Sequence, residues 1–159
     1  MVFDFNYKED FIIKPDYKPA STVYSIVHPT FETGYIYHFK TNSGLEYEVR
    51  FAPKANNILG MVVNFTVLGD DFEQDYPVTN RGEMYSVIAT VIEILKLFHH
   101  HHNLTTSYEF AGEFKENEKN DCSGPSIRTR MYIRISNQVL NSNWKPEVFI
   151  NKVILKRDK

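Results

Sequence analysis

The stretch of sequence that decides the fold is NRGEMYSVIATVIEILKLFHHHH, residues 80–102. Its large apolar side chains recur at three- and four-residue spacing, which predicts an amphipathic helix. Asn80 and Glu83 have the spacing of a capping box, in which each side chain bonds the backbone N–H of the other residue. The positions predicted to face the core are Met84, Val87, Ile88, Val91, Leu95 and Phe98, with Ile92 and Ile94 beside them. The sequence therefore predicts one long central helix.

The other side of this helix is polar. We predict a narrow solvent-exposed stripe made of Glu83, Ser86, Thr90 and Glu93. Many of the apolar positions are β-branched, and such residues have only moderate helix propensity. We therefore expect the helix to depend on packing against a sheet rather than to be stable alone.

Alternating apolar and polar residues predict strands before the helix. A hairpin is predicted over residues 35–52, where two alternating runs flank the turn sequence TNSG at 41–44. Residues 22–28 form a less regular strand, and residues 61–68 are apolar on both faces and are expected to be central. Residues 3–7 also alternate, as a strand or as an arm lying on another subunit.

Three further elements are predicted after the helix. Residues 107–114 and 147–155 are interpreted as strands. The stretch from Pro125 to about residue 140 fits a helix, because proline suits a first helical turn, although a strand fits almost as well. The predicted fold class is α+β, with a mixed, largely antiparallel sheet, one long central helix and a second helix.

Composition limits the organisation of the chain. Its 159 residues, 42% hydrophobic and 24% charged, are enough for one ordinary core, so we predict a single domain over 1–159. Residues 1–20 could form an extended N-terminal arm. Cys122 is the only cysteine, which excludes an intramolecular disulfide framework. A net charge of −2 gives no global positive field to attract nucleic acid.

The histidine run, residues 99–102, raises the hypothesis of a metal site. Imidazoles three residues apart on a helix, His99 and His102, can share an ion. The spacing is weak as a signal, because no paired cysteine or HExxH-type carboxylate accompanies it. Histidines at a helix C-terminus also interact favourably with the helix dipole without any metal, and we favour that interpretation.

A basic segment follows the helix. Arg128, Arg130 and Arg134, together with Ser126, could bind a phosphate or carboxylate through charge-assisted hydrogen bonds. A solvated or internally paired basic face is the simpler interpretation of the same residues. No complete catalytic arrangement is recognisable around the serines or Cys122.

Two resemblances add to these patterns. The sequence TNRG at 79–82, followed by VIATVIEIL and by SIRTRMYIR at 126–134, resembles a poorly characterised group of phage-encoded and bacterial proteins. The order of elements also resembles the Gcn5-related acetyltransferase fold. That second resemblance implies that Arg81 and Gly82 lie by the pyrophosphate of acetyl-coenzyme A, with Tyr132 as an acid near the thiolate.

The functional expectation follows from these points. We expect a phage-encoded, non-catalytic interaction or structural protein that needs no cofactor, with association with the virion as one expected setting. Its partners would be proteins, in a larger assembly or a homo-oligomer, with no membrane, and Arg81, Gly82, Ser126, Arg128, Arg130 and Arg134 are the predicted contact residues. The first residues lack the basic and apolar pattern of a signal peptide, so the expected location is the host cytoplasm or the virion. A degenerate acetyltransferase-like enzyme is the alternative.

Overall fold

The long helix, the first hairpin and the central strand predicted from the sequence are present in the folded chain. The computed structural model describes residues 11–31, 34–68, 81–111, 132–133 and 136–158. In chain order the elements are β1 (Ile26–Val27), β2 (Ile36–Lys40), β3 (Glu46–Lys54), β4 (Asn57–Leu68), α1 (Arg81–His101), β5 (Ser107–Ala111), β6 (Trp144–Val148) and β7 (Lys152–Arg157). Residues 132–133 and 136–139 are also helical. The α+β class is therefore confirmed.

The hairpin predicted at residues 35–52 is confirmed as β2 and β3. Its turn closes where the Gly44 N–H donates to the Thr41 carbonyl at 3.0 Å. Gly44 has a φ of 93°, a left-handed conformation that residues with a side chain seldom adopt. The Thr41 hydroxyl also accepts a hydrogen bond from the Leu45 N–H at 3.1 Å. The turn residues in the sequence thus set the register of this pair.

The seven strands of the described residues form one mixed sheet in the order β1-β2-β3-β4-β5-β7-β6. β4 occupies the middle, as its two-sided apolar pattern predicts. β4 and β5 run parallel, whereas the other neighbouring pairs among these strands run antiparallel. A parallel pair requires a crossover, and α1 supplies it.

One face of the sheet packs against α1. Val87, Ile94 and Phe98 of the helix are almost completely buried. The strand residues that meet the helix layer alternate along each strand, as expected for a half-covered sheet; they include Tyr37, Phe39, Tyr47, Val49, Phe51, Val63, Phe65, Tyr108 and Val153. The predicted core face of the helix is confirmed at these positions.

The predicted solvent-exposed stripe of α1 is wrong in large part. Glu83, Ser86 and Thr90 are buried. The Thr90 hydroxyl accepts a hydrogen bond from the Tyr24 N–H at 2.9 Å, and Glu83 accepts one from the Ser43 hydroxyl at 2.6 Å. The connection before β1 and the β2–β3 turn therefore cover this side of the helix, and Thr90 and Glu83 gain hydrogen-bond partners there.

The last part of the chain differs from its prediction as one strand over 147–155. The chain forms two strands, β6 and β7, joined by a turn in which the Phe149 N–H donates to the Lys152 carbonyl at 2.9 Å. The turn contains no glycine or proline, and Asn151 is its one residue of a turn-favouring type, so the sequence signal for a turn is weak there. The described part of the stretch from 125 to 140 is helical, which agrees with the favoured interpretation.

The N-terminal part of the chain joins the core. Ile12 and Ile13 are buried, and Ile13 forms a β-bridge with Leu140. This half of the predicted arm therefore packs on the domain, while residues 1–10, including the strand predicted at 3–7, lie outside the described residues. The strand predicted at 22–28 is reduced to β1, and the strand predicted at 107–114 is described as far as Ala111.

Candidate interaction surface

Two neighbouring segments, the start of β4 and the turn between α1 and β5, carry large aliphatic side chains in solvent at the end of the sheet where α1 finishes. At the start of β4, Ile58 is exposed by 78% and Leu59 by 42%, and in the turn between α1 and β5 Leu104 is exposed by 72%. The Thr106 N–H donates to the Leu59 carbonyl at 2.8 Å, so the start of β4 and the α1–β5 turn are joined. We call Ile58, Leu59 and Leu104 the apolar rim. Contiguous exposed apolar side chains often mark contact sites.

The backbone around the rim has local reasons for its shape. The Asn57 side-chain oxygen accepts a hydrogen bond from the Leu59 N–H at 3.1 Å, which is a common way for asparagine to hold a turn. A Cβ atom on Gly60 would lie 2.8 Å from the Ser107 hydroxyl oxygen. Glycine at this position therefore permits the close approach of β4 and β5 directly behind the rim.

A buried polar cluster holds the turn that presents Leu104. Arg157, near the end of β7, donates through Nη2 to the Asn103 carbonyl at 2.8 Å. The same Nη2 lies 3.3 Å from His99 Nε2, and His99 Nδ1 lies 2.6 Å from the Tyr108 hydroxyl. Tyr108 also bonds the Thr105 side chain. Two residues of the turn are thus tied to strands β5 and β7.

Burial changes the chemistry of this cluster. Tyr108 is fully buried, and loss of solvation raises the pKa of its phenol far above the ordinary value of 10.0, although the Thr105 hydrogen bond and the Arg157 charge act in the opposite direction. Tyr108 therefore remains a neutral phenol throughout the physiological range. Trp144 encloses the cluster, since its ring lies edge-on to His99 at 5.3 Å and under the Arg157 guanidinium at 5.3 Å.

A groove of about 520 Å³ runs beside the same end of α1. Its apolar wall comes from residues 11–13, and its polar wall from the helix, where Lys96 and Glu93 form an ion pair at 3.4 Å. His99 and Asn103 also line it. The groove brings solvent to the side of the helix that carries the buried cluster.

A second exposed apolar group lies at the opposite end of the sheet. Val148, Phe149 and Ile150 follow one another at the β6–β7 turn and are exposed by 49%, 40% and 67%. Pro146 lies within β6 at the outer edge of the sheet. The Phe149–Lys152 pair is hydrogen-bonded, and hydrogen-bonded pairs alternate along an antiparallel ladder. The backbone nitrogen of Pro146 therefore faces away from β7, toward the open edge of the sheet. Proline there removes a donor that an added strand would need.

His99 and His102, the two candidate metal ligands, do not face a common site in the structure. His99 is buried against Tyr108 and Arg157, whereas the His102 ring stacks on Phe98 at 4.0 Å. His102 donates through Nδ1 to the Phe98 carbonyl at 3.0 Å. Within the ranges that the structure describes, no group of three or more His, Cys, Asp or Glu side chains could hold a metal ion.

The histidine run is also not a uniform solvated helix end. His100 and His101 are exposed as the dipole interpretation requires, but His99 is 4% exposed. The difference arises because β5, β6 and β7 close over one side of the last helical turn. His99 is therefore a core residue of the polar cluster, and sequence reasoning missed this role.

The predicted partner-binding residues lie mostly beyond the described residues. Ser126, Arg128, Arg130 and Arg134 fall outside them, as does Cys122. α1 begins at Arg81, followed by Gly82, as the helix prediction requires. Tyr132 is buried in the core, with its ring 5.0 Å from Phe110 and 5.8 Å from Phe65. Binding roles for these residues remain predictions.

The apolar rim was not predicted from the sequence. Asn56-Asn57 before Ile58 is a recognisable turn signal, so a pair of exposed aliphatic residues could have been suspected there. Nothing in the sequence around Leu104 distinguishes it from a buried leucine at the end of an apolar helix. Its exposure depends on where β5 begins.

Comparisons with protein-family models, with curated proteins and with solved structures gave no match to this chain. No helix within the described ranges is long and apolar enough to cross a membrane. Inference about function therefore depends on the geometry described above.

Proposed function

We propose that this protein is a non-catalytic interaction or structural protein that contacts a protein partner through the apolar rim. The observation that carries the proposal is the hydrogen bond between the start of β4 and the α1–β5 turn, which brings the exposed residues Ile58, Leu59 and Leu104 to one end of the sheet. Complete burial of one such side chain by a partner would contribute roughly 1.5–3 kcal/mol to binding. The location of the three side chains at one end of the sheet supports a role for the apolar rim in binding a partner.

The rim has features of a preorganised contact surface. The start of β4 and the α1–β5 turn are bonded to each other through Leu59 and Thr106, and the turn is also bonded to Arg157. Ordering costs on binding are lower when the contact residues are held in place beforehand. The resemblance to phage-encoded proteins supports a phage assembly, such as a virion, as the proposed setting. Arg128 and Arg130 are proposed as additional contact residues.

The proposal is tested by placing a photo-crosslinking side chain at Ile58 or Leu104 during expression in the natural host. We expect a defined protein adduct from both positions. The matched control is Lys96, which is exposed on the adjacent helix but outside the rim. Equal adducts from Lys96, or none from the rim positions, would contradict the proposal.

A double variant provides the quantitative arm of the same test. Ile58→Ser with Leu104→Ser changes two exposed side chains, so its stability is expected to stay within about 0.5 kcal/mol per site of the parent. We expect recovery of the crosslinked or co-purified partner to fall at least about ten-fold, because central apolar anchors carry most binding energy. Phe149→Ser with Ile150→Ser at the opposite end is the control, and a larger loss there would move the contact to the β6–β7 turn.

An acetyltransferase-like enzyme is the second candidate function, and the β4–α1–β5 unit favours it. Glu83 in the first turn of α1 bonds the β2–β3 turn, and β3 residue Glu46 pairs with Leu68, so the helix begins beside the carboxyl end of β4. In sheets with parallel strands, anionic ligands bind where a helix N-terminus meets that end. By the resemblance, Arg81 and Gly82 would lie beside the cofactor pyrophosphate.

Calorimetry with acetyl-coenzyme A separates the two candidates. For an interaction protein we expect no binding heat at micromolar cofactor concentrations, and we expect Tyr132→Phe to leave the biological role intact. The opposite pair of results, micromolar binding together with loss of turnover in Tyr132→Phe, would favour the enzyme. Far-UV circular dichroism of the variant checks that the fold is unchanged, because Tyr132 is a core residue.

A further inference from the structure

We propose that the apolar rim binds a protein segment that carries acidic side chains next to apolar ones. The inference rests on the proposed function, because it names the chemistry of the partner that the rim would contact. The observation behind it is a set of three lysines, Lys54, Lys145 and Lys156, on the outer face of the sheet beside the rim. We call these three residues the lysine row.

The strand register places the lysine row next to the rim. Gly60 pairs with Ser107, and Ser107 pairs with Lys156. Lys156 in turn pairs with Lys145, so one line of residues crosses β4, β5, β7 and β6. Gly60 directly follows Leu59, so this line lies one residue, about 3.3 Å, from the rim.

Gly60 also explains how Lys54 joins this line from β3. A Cβ atom on Gly60 would lie 3.1 Å from Lys54 Cδ and 2.8 Å from the Ser107 hydroxyl oxygen. The aliphatic part of Lys54 therefore occupies the space that glycine leaves open. The Lys54 ammonium then reaches the Glu109 carboxylate on β5 at 3.0 Å.

The lysine row faces away from α1. Val153 and Leu155 of β7 are buried in the core, so the alternation along the strand directs Lys156 to the opposite face of the sheet. Lys145, the cross-strand neighbour of Lys156, is exposed as well. The row is therefore open to a partner that approaches the rim from the outer face.

Two of the lysines pair with glutamates that lie further from the rim. Lys156 contacts Glu147 at 3.1 Å, with side chains exposed by 53% and 48%. Glu147 lies opposite Ile154, two residues along β7 from Lys156, which places it about 7 Å further from the rim. Such solvated pairs are weak, so the lysines can also attract the carboxylates of a partner.

The charge next to the rim is therefore positive, although the whole chain has a net charge of −2. Asp158, which follows β7, is an exposed acidic neighbour, and the three lysines outweigh it. Complementary charges beside an apolar contact increase association rate and specificity. A basic segment would be repelled here, and a nucleic acid would contact the lysines but leave the apolar rim in water.

Binding of short synthetic peptides to the purified chain, measured by fluorescence anisotropy, tests this chemistry. The probe is a peptide in which leucine alternates with glutamate. One comparison peptide has lysine in place of each glutamate, and another has serine in place of each leucine. We expect the leucine–glutamate peptide to bind at least about ten-fold more tightly than either one, and to bind less tightly as salt is raised. Equal binding of the lysine-containing peptide would overturn the proposal, as would tighter binding of a single-stranded oligonucleotide.

Charge-reversal variants locate the binding at the lysine row. Lys145→Glu with Lys156→Glu should weaken binding of the leucine–glutamate peptide about ten-fold. The matched control is Lys18→Glu with Lys40→Glu, which makes the same change in net charge at exposed positions outside the row. We expect a change of at most about two-fold in the control, because distant surface charges are screened. Equal losses in the two double variants, both checked for folding by circular dichroism, would refute the assignment.

The natural partner separates this inference from the proposed function. Crosslinking from Ile58 in the host should give an adduct whose yield falls about ten-fold in the variant Lys145→Glu with Lys156→Glu. An adduct of unchanged yield would refute the acidic chemistry and leave the apolar contact standing. No adduct from Ile58 or Leu104 would instead refute the proposed function, and this inference with it.

Discussion

Val91→Asp is expected to lower the free energy of unfolding by about 3–5 kcal/mol, because it buries a carboxylate with no partner. Val91 is 5% exposed and lines a small apolar cavity of about 30 Å³ with Phe110, Tyr132 and Val139. None of the described residues that line that cavity carries a charge. An ionised aspartate would favour unfolding, and a protonated aspartate would leave an unsatisfied polar group in the core. Urea denaturation followed by circular dichroism measures the loss.

The matched control lies two residues away on the same helix. Glu93→Gln changes a half-buried side chain whose ion pair with Lys96 spans 3.4 Å in a largely solvated setting. Such pairs contribute little, so the change should stay within about 0.5 kcal/mol. Similar stabilities for Val91→Asp and Glu93→Gln would mean that the buried face of α1 has been assigned wrongly.

Phe98→Ala is expected to cost about 3–5 kcal/mol, because it removes a fully enclosed aromatic ring and leaves a cavity. Phe98 has no exposed surface. Its ring stacks on Phe51 of β3 with centroids 3.8 Å apart and on His102 at 4.0 Å, and it meets Tyr108 edge-on at 6.0 Å. The substitution therefore breaks the contact between helix and sheet next to the apolar rim.

Tyr85→Ala is the control for this substitution, since it removes an aromatic ring from the same helix at a position that is 50% exposed. We expect a loss of at most about 1 kcal/mol there. Thermal unfolding of both variants at one pH gives the comparison. A Phe98→Ala protein as stable as Tyr85→Ala would be inconsistent with the packing of α1 on β3.

The long helix and the first hairpin could be predicted because their signals are local. The spacing of apolar residues from Met84 to Phe98 allows one face of the helix to be buried. Gly44 permits the left-handed conformation in the turn between β2 and β3. The interpretation of the stretch from 125 to 140 as helical also agrees with its described residues. In each case the residues that specify the structure lie within a few positions of one another.

Local sequence patterns did not predict that the polar side of α1 is buried. Thr90 and Glu83 look solvated in the sequence, yet their partners are Tyr24, 66 residues away, and Ser43, 40 residues away. A polar side chain is compatible with solvent or with a buried hydrogen bond, and the amphipathic pattern cannot distinguish them. The division of the last predicted strand into β6 and β7 was missed for a related reason. The start of β7 is set by its pairing with β5, which lies far away in the chain.

By itself the sequence determined the class of fold, the central helix with its buried face, the β2–β3 hairpin and the central place of β4. These follow from periodicity and turn chemistry, which act between near neighbours. Tertiary structure alone decided that His99 is buried between Tyr108 and Arg157, and that Leu104, Ile58 and Leu59 are exposed at the same end of the sheet. Those features depend on strands distant in the chain meeting at the end of one helix, and pairwise contacts of that kind leave no periodic trace in the sequence.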